Sequence, residues 1–407
     1  MKRRARKNNY KIMKLKKIYN NFYIILFMNP VHFFTLGFLQ EYLFIGIILG
    51  ILIGSYSFFR VKYALSDDAL SKNRQIIISG IIAILSFLFC LNIWSLSAIL
   101  TFYLFISSLI ADSIRIIQKY LLKEKHLNFI AKIHKNGLLA AIIFAVIIIG
   151  SAYGMTHIEL TEYNLTTEKI DNESYSILFV SDVHYGTIQD TQLVKDSILK
   201  MNKLKPNIIV LGGDIVDERT TKKEMQEIFD EFGKLNSTYG TYYIFGNHDR
   251  QPYTTDYENG NRTFTDSDLN QSIEENGIKI LNDDKITINN DIVLVGRSDA
   301  AWEDSVNRID VDEILNESDL SKYIIVLDHQ AVEDKINAKE GIDLQLSGHT
   351  HGGQMFPYGM MYDLTGRLNY GEYEFGDMKQ ILSSGLTGWG WPMRNEAKCE
   401  YVLININ

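Results

Sequence analysis

Five short stretches of this 407-residue chain carry side chains suited to holding divalent cations, and all five hold Asp, Asn or His at close spacing. They are Asp182-Val183-His184, Gly213-Asp214-Ile215-Val216-Asp217, Gly246-Asn247-His248-Asp249, Asp328-His329 and Gly348-His349-Thr350-His351-Gly352-Gly353-Gln354. Carboxylate and imidazole ligands suit Zn²⁺, Mn²⁺ or Fe. Residues i and i+2 of an extended segment project to the same side, so Asp182 with His184, and His349 with His351, each form a two-pronged grip. Glycines beside Asp214, Asn247 and His349 permit tight turns and close approach to an ion. Two ions ~4 Å apart clamp an in-line phosphoryl displacement and lower the pKa of a water between them. Five of the nine histidines lie in these stretches, so imidazole is concentrated here.

Taken singly, each stretch has an ordinary reading. Asp214 suits a helix N-cap, Asn247-His248-Asp249 suits a turn, and a lone His329 suits a core position. Their placement separates them from that background. Each follows directly on an apolar run of strand length, at 177–180, 208–211, 242–245, 323–327 and 344–346. In open α/β sheets ligands collect beyond the carboxyl ends of strands, so five such ends would converge on one rim. Between the first three strands lie helical patterns. Val194, Ile198 and Met201 make one, and Met225, Ile228, Phe229, Phe232 and Leu235 make a stripe at i, i+3, i+4 and i+7. Further strands are expected at 279–281, 286–288, 292–295, 380–382 and 401–404. Early strand–helix alternation followed by clustered strands predicts a layered α/β domain with some antiparallel pairing.

In order and in residue type, the five motifs resemble those of the calcineurin-like metallophosphoesterases over about residues 174–407. The Gly352-Gly353-Gln354 tail and the apolar N-terminal part are similar to the membrane-attached subgroup, some of which act on phosphodiesters or on the pyrophosphate of lipid-linked nucleotides. The resemblance implies a four-layer αββα sandwich and a pair of divalent metal ions. By motif, Asp182, His184 and His351 would hold one ion, Asn247, His329 and His349 the other, and Asp214 would bridge them. His248 would protonate the leaving group or contact the phosphate, and Asp217 would orient its ring. The nucleophile would be the metal-bridging hydroxide. Protein Ser/Thr phosphatases of this superfamily carry Arg after the second Asp of the second motif and Glu after the Asn-His pair. Here those positions are Glu218 and Asp249, which argues against a phosphoprotein phosphatase. Arg250 and Arg394 are candidates to replace the missing arginine, against the reading that each is a plain surface charge. Hydrolysis of a phosphodiester or pyrophosphate, of a lipid-linked or envelope substrate, is the leading expectation. A phosphomonoesterase, or a metal-binding membrane sensor or scaffold without turnover, are the alternatives.

Charge and hydropathy divide the chain. Residues 1–155 hold 19 of the 41 Lys/Arg but 5 of the 49 Asp/Glu, so a basic apolar part precedes an acidic one. Spans are expected at 42–59 and 137–153, with a hairpin over 76–111 that turns near 92–97 and a weaker candidate at 22–39. Basic residues cluster in the N-terminal tail and in the loops at 60–75 and 112–136. Five spans would keep all three in the cytoplasm and put the acidic part outside the plasma membrane. Four spans would leave at least one basic segment on the wrong side. The expected organisation is an anchor of four or five helices over 1–155, a juxtamembrane linker over 156–173 and the phosphoesterase domain over 174–407. A basic tail beside an apolar run fits a membrane better than a nucleic acid, and no nucleic-acid binding is expected. Cys90 and Cys399 are too few for a Cys-ligated zinc site. Trp389, Trp391 and Met360 are either packing residues or an apolar rim that meets lipid.

Overall fold

The computed structural model describes residues 36–93, 95–121, 128–170, 173–254, 261–300, 308–315 and 320–407. The chain divides into two compact units, with the boundary between Ile149 and Gly150. The candidate span at 22–39 falls mostly outside the described residues.

The first unit is helical. Its elements are α1 (Leu36–Ala64), α2 (Lys72–Cys90), α3 (Leu96–Leu121), α4 (Asn128–Lys135) and the greater part of α5 (Leu138–Thr156). Among the described residues, four helices are long and apolar enough to cross a membrane: α1, α2, α3 and α5. Ser71 starts α2 by accepting the Arg74 amide, and at the start of α3 Ser95 Oγ accepts the Ala98 amide. Gly46, Gly50 and Gly54 lie on one face of α1, and a Cβ at any of them would collide with α2 near Cys90, Phe87 and Ala83. Small residues at that spacing let two apolar helices approach closely where lipid supplies no hydrophobic drive between them.

The second unit is a two-sheet sandwich. One sheet holds β1 (Ile158–Leu165), β12 (Cys399–Ile406), β2 (Tyr175–Val180), β3 (Ile208–Leu211), β4 (Thr241–Tyr243) and β5 (Ile278–Ile280), in that spatial order. The other holds β10 (Gly371–Phe375), β11 (Met378–Leu382), β9 (Leu344–Ser347), β8 (Tyr323–Leu327), β7 (Ile292–Gly296) and β6 (Asp284–Ile288). Side-chain alternation along the strands builds three cores. Ile177, Phe179, Ile208 and Val210 point between the sheets, onto Leu294, Ile325, Leu327, Leu344 and Leu346. Their neighbours Leu178, Val180, Ile209 and Leu211 point outward, onto α6 (Thr191–Met201), α7 (Lys222–Phe232) and α8 (Asp266–Glu275). The stripe Met225, Ile228, Phe229 and Phe232 is the buried face of α7. On the far side Val293, Val295, Ile324 and Val326 meet Val311 of α9 (Val311–Ile314), Ala338 of α10 (Asp334–Lys339) and Ile342. Helix, sheet, sheet and helix are thus stacked as an αββα sandwich.

Two strands depart from the sequence reading. The segment expected to be a linker contains β1, which pairs in parallel with β12 from Ile158 to Leu165. Only His157 separates α5 from this strand. β1 and β10 each lie at one edge of their sheet and carry Glu and Thr or Gly among half-buried aromatic and aliphatic residues, a composition that reads as polar connection.

Candidate metal centre

The candidate ligands all sit just beyond strand ends: Asp182 and His184 after β2, Asp214 after β3, Asn247 after β4, His329 after β8, and His349 and His351 after β9. Three of these strands belong to one sheet and two to the other, so the rim is shared by both sheets. Asp182, His184, Asp214, His349 and His351 all have positive φ, between 42° and 72°. For non-glycine residues that costs on the order of 1 kcal/mol each, and it persists only where the surroundings hold it. Gly213 and Gly246 make the turn possible, because a Cβ on either would collide with the opposite loop.

Two groups of potential ligand atoms converge: Asp182, His184 and His351, and Asp214, His329 and His349. His184 Nε2 faces His351 Nε2 at 3.3 Å, and His351 Nε2 lies 3.6 Å from Asp182 Oδ1. His329 Nδ1 bonds the Gly212 carbonyl at 2.8 Å, which fixes that nitrogen as the donor and turns Nε2 toward Asp214 Oδ2 at 3.1 Å. Asn247 Oδ1 lies 2.9 Å from His349 Nδ1. His184 also approaches Asp214, at 3.8 Å, so Asp214 stands between the two groups.

This donor set fits a pair of cations. The Nε2 atoms of His184 and His351 converge on the same point as an Asp182 oxygen, where a shared cation would take all three as ligands. His184 Nδ1 and His329 Nε2 are buried and make no well-aligned hydrogen bond, each having only a carboxylate oxygen nearby, of Asp217 and of Asp214. Among the protein groups alone, burial would raise the Asp214 carboxyl, but His329 and His248 hold it well below the usual range. Burial, with His329 beside it, pushes His349 down to about 4. Burial also pushes His351 down to about 3, against the pull of Asp182. Both imidazoles are therefore neutral at neutral pH, the state in which they ligate. Burial opposes charge on His329, but Asp214 raises it well above its ordinary value, and a cation at Nε2 would take that proton's place.

His248 is placed differently from the sequence expectation. Its Nδ1 bonds both oxygens of Glu218, at 2.9 and 3.1 Å, and its backbone N–H donates to Asp214 Oδ1. Asp217 was expected to hold this ring. Its carboxylate instead accepts the Arg219 backbone amide and lies 3.4 Å from His184 Nδ1. The shorter Asp217 side chain is turned into the loop, while Glu218, one methylene longer, reaches His248. Burial would lower His248, but Glu218 and Asp214 push it up to about 10, so it holds a proton to give. The Trp389 ring lies 5.2 Å from the His248 ring and walls that side.

Other residues support the rim without lining it. Asp249 accepts four backbone amides, from Gly246, Asp214, Ile215 and Val216, and so ties the β3 and β4 loops together. Gln354 Nε2 donates to the Trp389, Trp391 and Met393 carbonyls, and its Oε1 accepts the Trp389 amide. Asp328 is paired with Arg308 and not turned to the ligands. Arg394 is buried, donates to the Ser384 and Thr387 carbonyls, and stands 3.4 Å behind His351 Nδ1. The Arg250 guanidinium lies over the Phe245 ring at 4.1 Å. Neither reading of these two arginines, phosphate ligand or plain surface charge, matches where they lie.

Residues 175–353 match the family model described as calcineurin-like phosphoesterase. The chain is 30% identical over 257 residues to an uncharacterized metallophosphoesterase of Aquifex aeolicus, an alignment covering 61% of this chain and 92% of that protein. It is 29% identical over 314 residues to an uncharacterized metallophosphoesterase of Campylobacter jejuni, covering 75% and 79%. A Danio rerio relative described as a transmembrane protein with metallophosphoesterase domain is 25% identical over 284 residues, and this chain spans 62% of its length. With its five motifs gathered on one rim of an αββα sandwich, the chain belongs to the calcineurin-like phosphoesterase family.

Proposed function

We propose that this protein hydrolyses a phosphodiester or pyrophosphate bond with two bound divalent metal ions, on the extracytoplasmic face of the plasma membrane. The observation that carries this reading is the pair of ligand groups meeting at Asp214. Asp182, His184 and His351 would hold one ion, and Asn247, His329 and His349 the other, with Asp214 shared. When bound, such a pair supplies water of lowered pKa and a clamp for the phosphoryl oxygens. Water displaces the leaving oxygen: one P–O bond forms, one breaks, His248 gives its proton to the departing oxygen, and the proton lost by the attacking water goes to solvent, from which His248 is reprotonated. Glu218 holds that imidazole in position through Nδ1. Asp217 steadies His184.

Preference for a diester over a monoester is supported by how the nearby cations are engaged. Arg394 donates to carbonyls, Arg250 covers Phe245, and Arg219 pairs with Asp217. A monoester dianion would call for one of them. The external placement rests on the basic loops at 60–75 and 112–136 and the basic N-terminal tail.

The test is hydrolysis of bis(p-nitrophenyl) phosphate against p-nitrophenyl phosphate by the full chain in Mn²⁺, for wild type and His248→Ala. Faster diester turnover is expected, with a loss of roughly 10²–10⁴-fold in the variant. Monoester turnover equal to or above diester turnover defeats the preference. Two bound metals without hydrolysis of either ester favours the sensor.

A further inference from the structure

We propose that the active-site rim rests on the lipid bilayer through α11 (Tyr358–Leu364), so that the site takes its phosphoester from an amphiphile whose tail stays in the membrane. The docking stands on its own; the substrate part rests on the phosphoester reading above.

The last turns of α5, from Gly150, belong to the catalytic unit. Ser151 and Met155, one turn apart on the same face, are buried there. The Arg394 amide donates to the Ser151 carbonyl and the Asn395 amide group to Ser151 Oγ. Gln189 bonds the Met155 carbonyl. A Cβ at Gly154 would lie 2.5 Å from the Arg394 carbonyl, so helix and loop are in direct contact. Depth follows from helix geometry. From Leu138 to Ser151 the helix rises only about 20 Å, at 1.5 Å per residue. The hydrocarbon core is ~30 Å thick, so even the whole of α5 is needed to cross it. Ser151 therefore lies within about 10 Å of the outer edge of that core, and whatever touches it lies at that level too.

The same loop carries α11. Asn395 Oδ1 accepts the Phe356 amide, Glu396 accepts the Gly359 and Met360 amides, and Trp391 stacks on Tyr358. Beyond these ties the segment shows lipid-compatible side chains to the outside: Phe356 is 37% exposed, Met360 45%, Met361 52% and Leu364 76%. Trp391, expected in such a rim, is 5% exposed and serves as the platform under Tyr358. A short helix with exposed Met and Leu, fixed at the depth where a spanning helix leaves the hydrocarbon, fits the headgroup boundary. Gln354 joins that boundary to the site, since it holds the backbone of Trp389, whose ring flanks His248. A phosphoester within reach of His248 would thus sit at headgroup height.

Leu364→Cys and Leu320→Cys, each labelled with an environment-sensitive fluorophore, would be compared in the full chain in phosphatidylethanolamine/phosphatidylglycerol vesicles. Leu320 precedes β8, at the end of that strand opposite His329, and both native cysteines are buried. We expect doxyl-labelled lipid to quench the label at 364, and aqueous iodide the label at 320. Equal iodide quenching at both positions overturns the docking. So does a label at 364 shielded from iodide yet untouched by doxyl lipid, which would indicate a second protein molecule there. In a second measurement, the Met360→Glu/Met361→Glu/Leu364→Glu variant should lose about tenfold on hexadecyl p-nitrophenyl phosphate in vesicles and be unchanged on methyl p-nitrophenyl phosphate in solution. Equal loss on both esters overturns the substrate part. If wild type cleaves neither ester, the phosphoester reading fails, and the quenching result still decides the docking.

Discussion

Two polar clusters in this molecule are built from similar side chains and do different things. In the helical unit, Asp112 receives Tyr56 Oη at 2.7 Å, His134 Nε2 at 2.6 Å and the Arg60 guanidinium at 3.4 Å. Three donors surround one carboxylate, and Arg60 also caps the carbonyls of His134 and Lys135. In the catalytic unit, Asp182 and Asp214 stand among four imidazoles, two of which face each other through Nε2. The first cluster has a surplus of donors: Asp112 takes one contact from each of three side chains, and Arg60 Nε and His134 Nδ1 are left without a hydrogen bond. The second gathers carboxylates and imidazoles around two points where a divalent cation would be held. What the side chains converge on, more than residue type, distinguishes a structural ion cluster from a metal site.

The sharpest way to break this comparison is Asp214→Asn. The amide keeps the shape but loses the charge shared between the two ligand groups. Hydrolysis should fall on the order of 10³-fold, the upper end for loss of one preorganised electrostatic group. Metal content measured on the same sample should fall with it. Full metal occupancy and near-wild-type turnover would show that the shared carboxylate is not needed to hold the ions.

Metal removal comes next. Ions bound at 100 times their dissociation constant stabilise the folded state by about 2.7 kcal/mol. A shift of roughly 2–4 °C per kcal/mol is usual at this size, so chelation should lower the melting point of the catalytic unit by about 5–10 °C. The Asp112 cluster predicts no such response in the helical unit. An unchanged melting point with measured metal loss would mean that the ligand groups do not depend on an ion for their stability.

A smaller effect separates the neighbours Asp217 and Glu218. Loss of a residue that orients an acid through its second ring nitrogen typically costs 10–100-fold. Glu218→Gln should lower kcat by about that factor with metal content intact. Asp217→Asn should instead weaken metal retention, through His184. The reverse pattern would restore the expectation drawn from the motif.

That pair also shows where sequence reading stops. The ligand positions are legible because each follows a strand whose apolar run announces it. Ile208–Leu211 and Tyr323–Leu327 begin and end where the pattern places them. The choice between Asp217 and Glu218 depends on backbone rotation in one turn and on one methylene of reach, which no spacing encodes. β1 was hidden by its position: an edge strand after a spanning helix, reading Ile-Glu-Leu-Thr-Glu-Tyr-Asn-Leu, looks like a polar linker until β12 is beside it. Likewise Trp389 and Trp391 are indistinguishable by composition. Gln354, three residues beyond the last candidate ligand, holds the backbone of both, and the Trp389 ring is the one that flanks His248. The tail Gly352-Gly353-Gln354 was the available signal, since a buried Gln after two glycines needs several backbone partners.

The smallest effect tests the helical cluster itself. Asp112→Asn keeps an acceptor for Tyr56 but removes the charge that balances Arg60. A hydrogen bond to a charged partner contributes about 1.5–3 kcal/mol, and partial exposure of Asp112 places the expected loss near the lower end. Denaturation of the helical unit should register that loss, while metal content and hydrolysis remain at wild-type levels. A double variant, Arg60→Met/Asp112→Leu, should recover much of it, because replacing both members of an ion pair by apolar residues is often close to neutral. No single candidate ligand of the catalytic cluster should be rescued in that way, since its proposed partner is an ion and not a side chain. If Asp112→Asn lowered hydrolysis tenfold with metals in place, the two clusters would be coupled, and the donor-rich one would be part of the enzyme's working machinery and not only of its anchor.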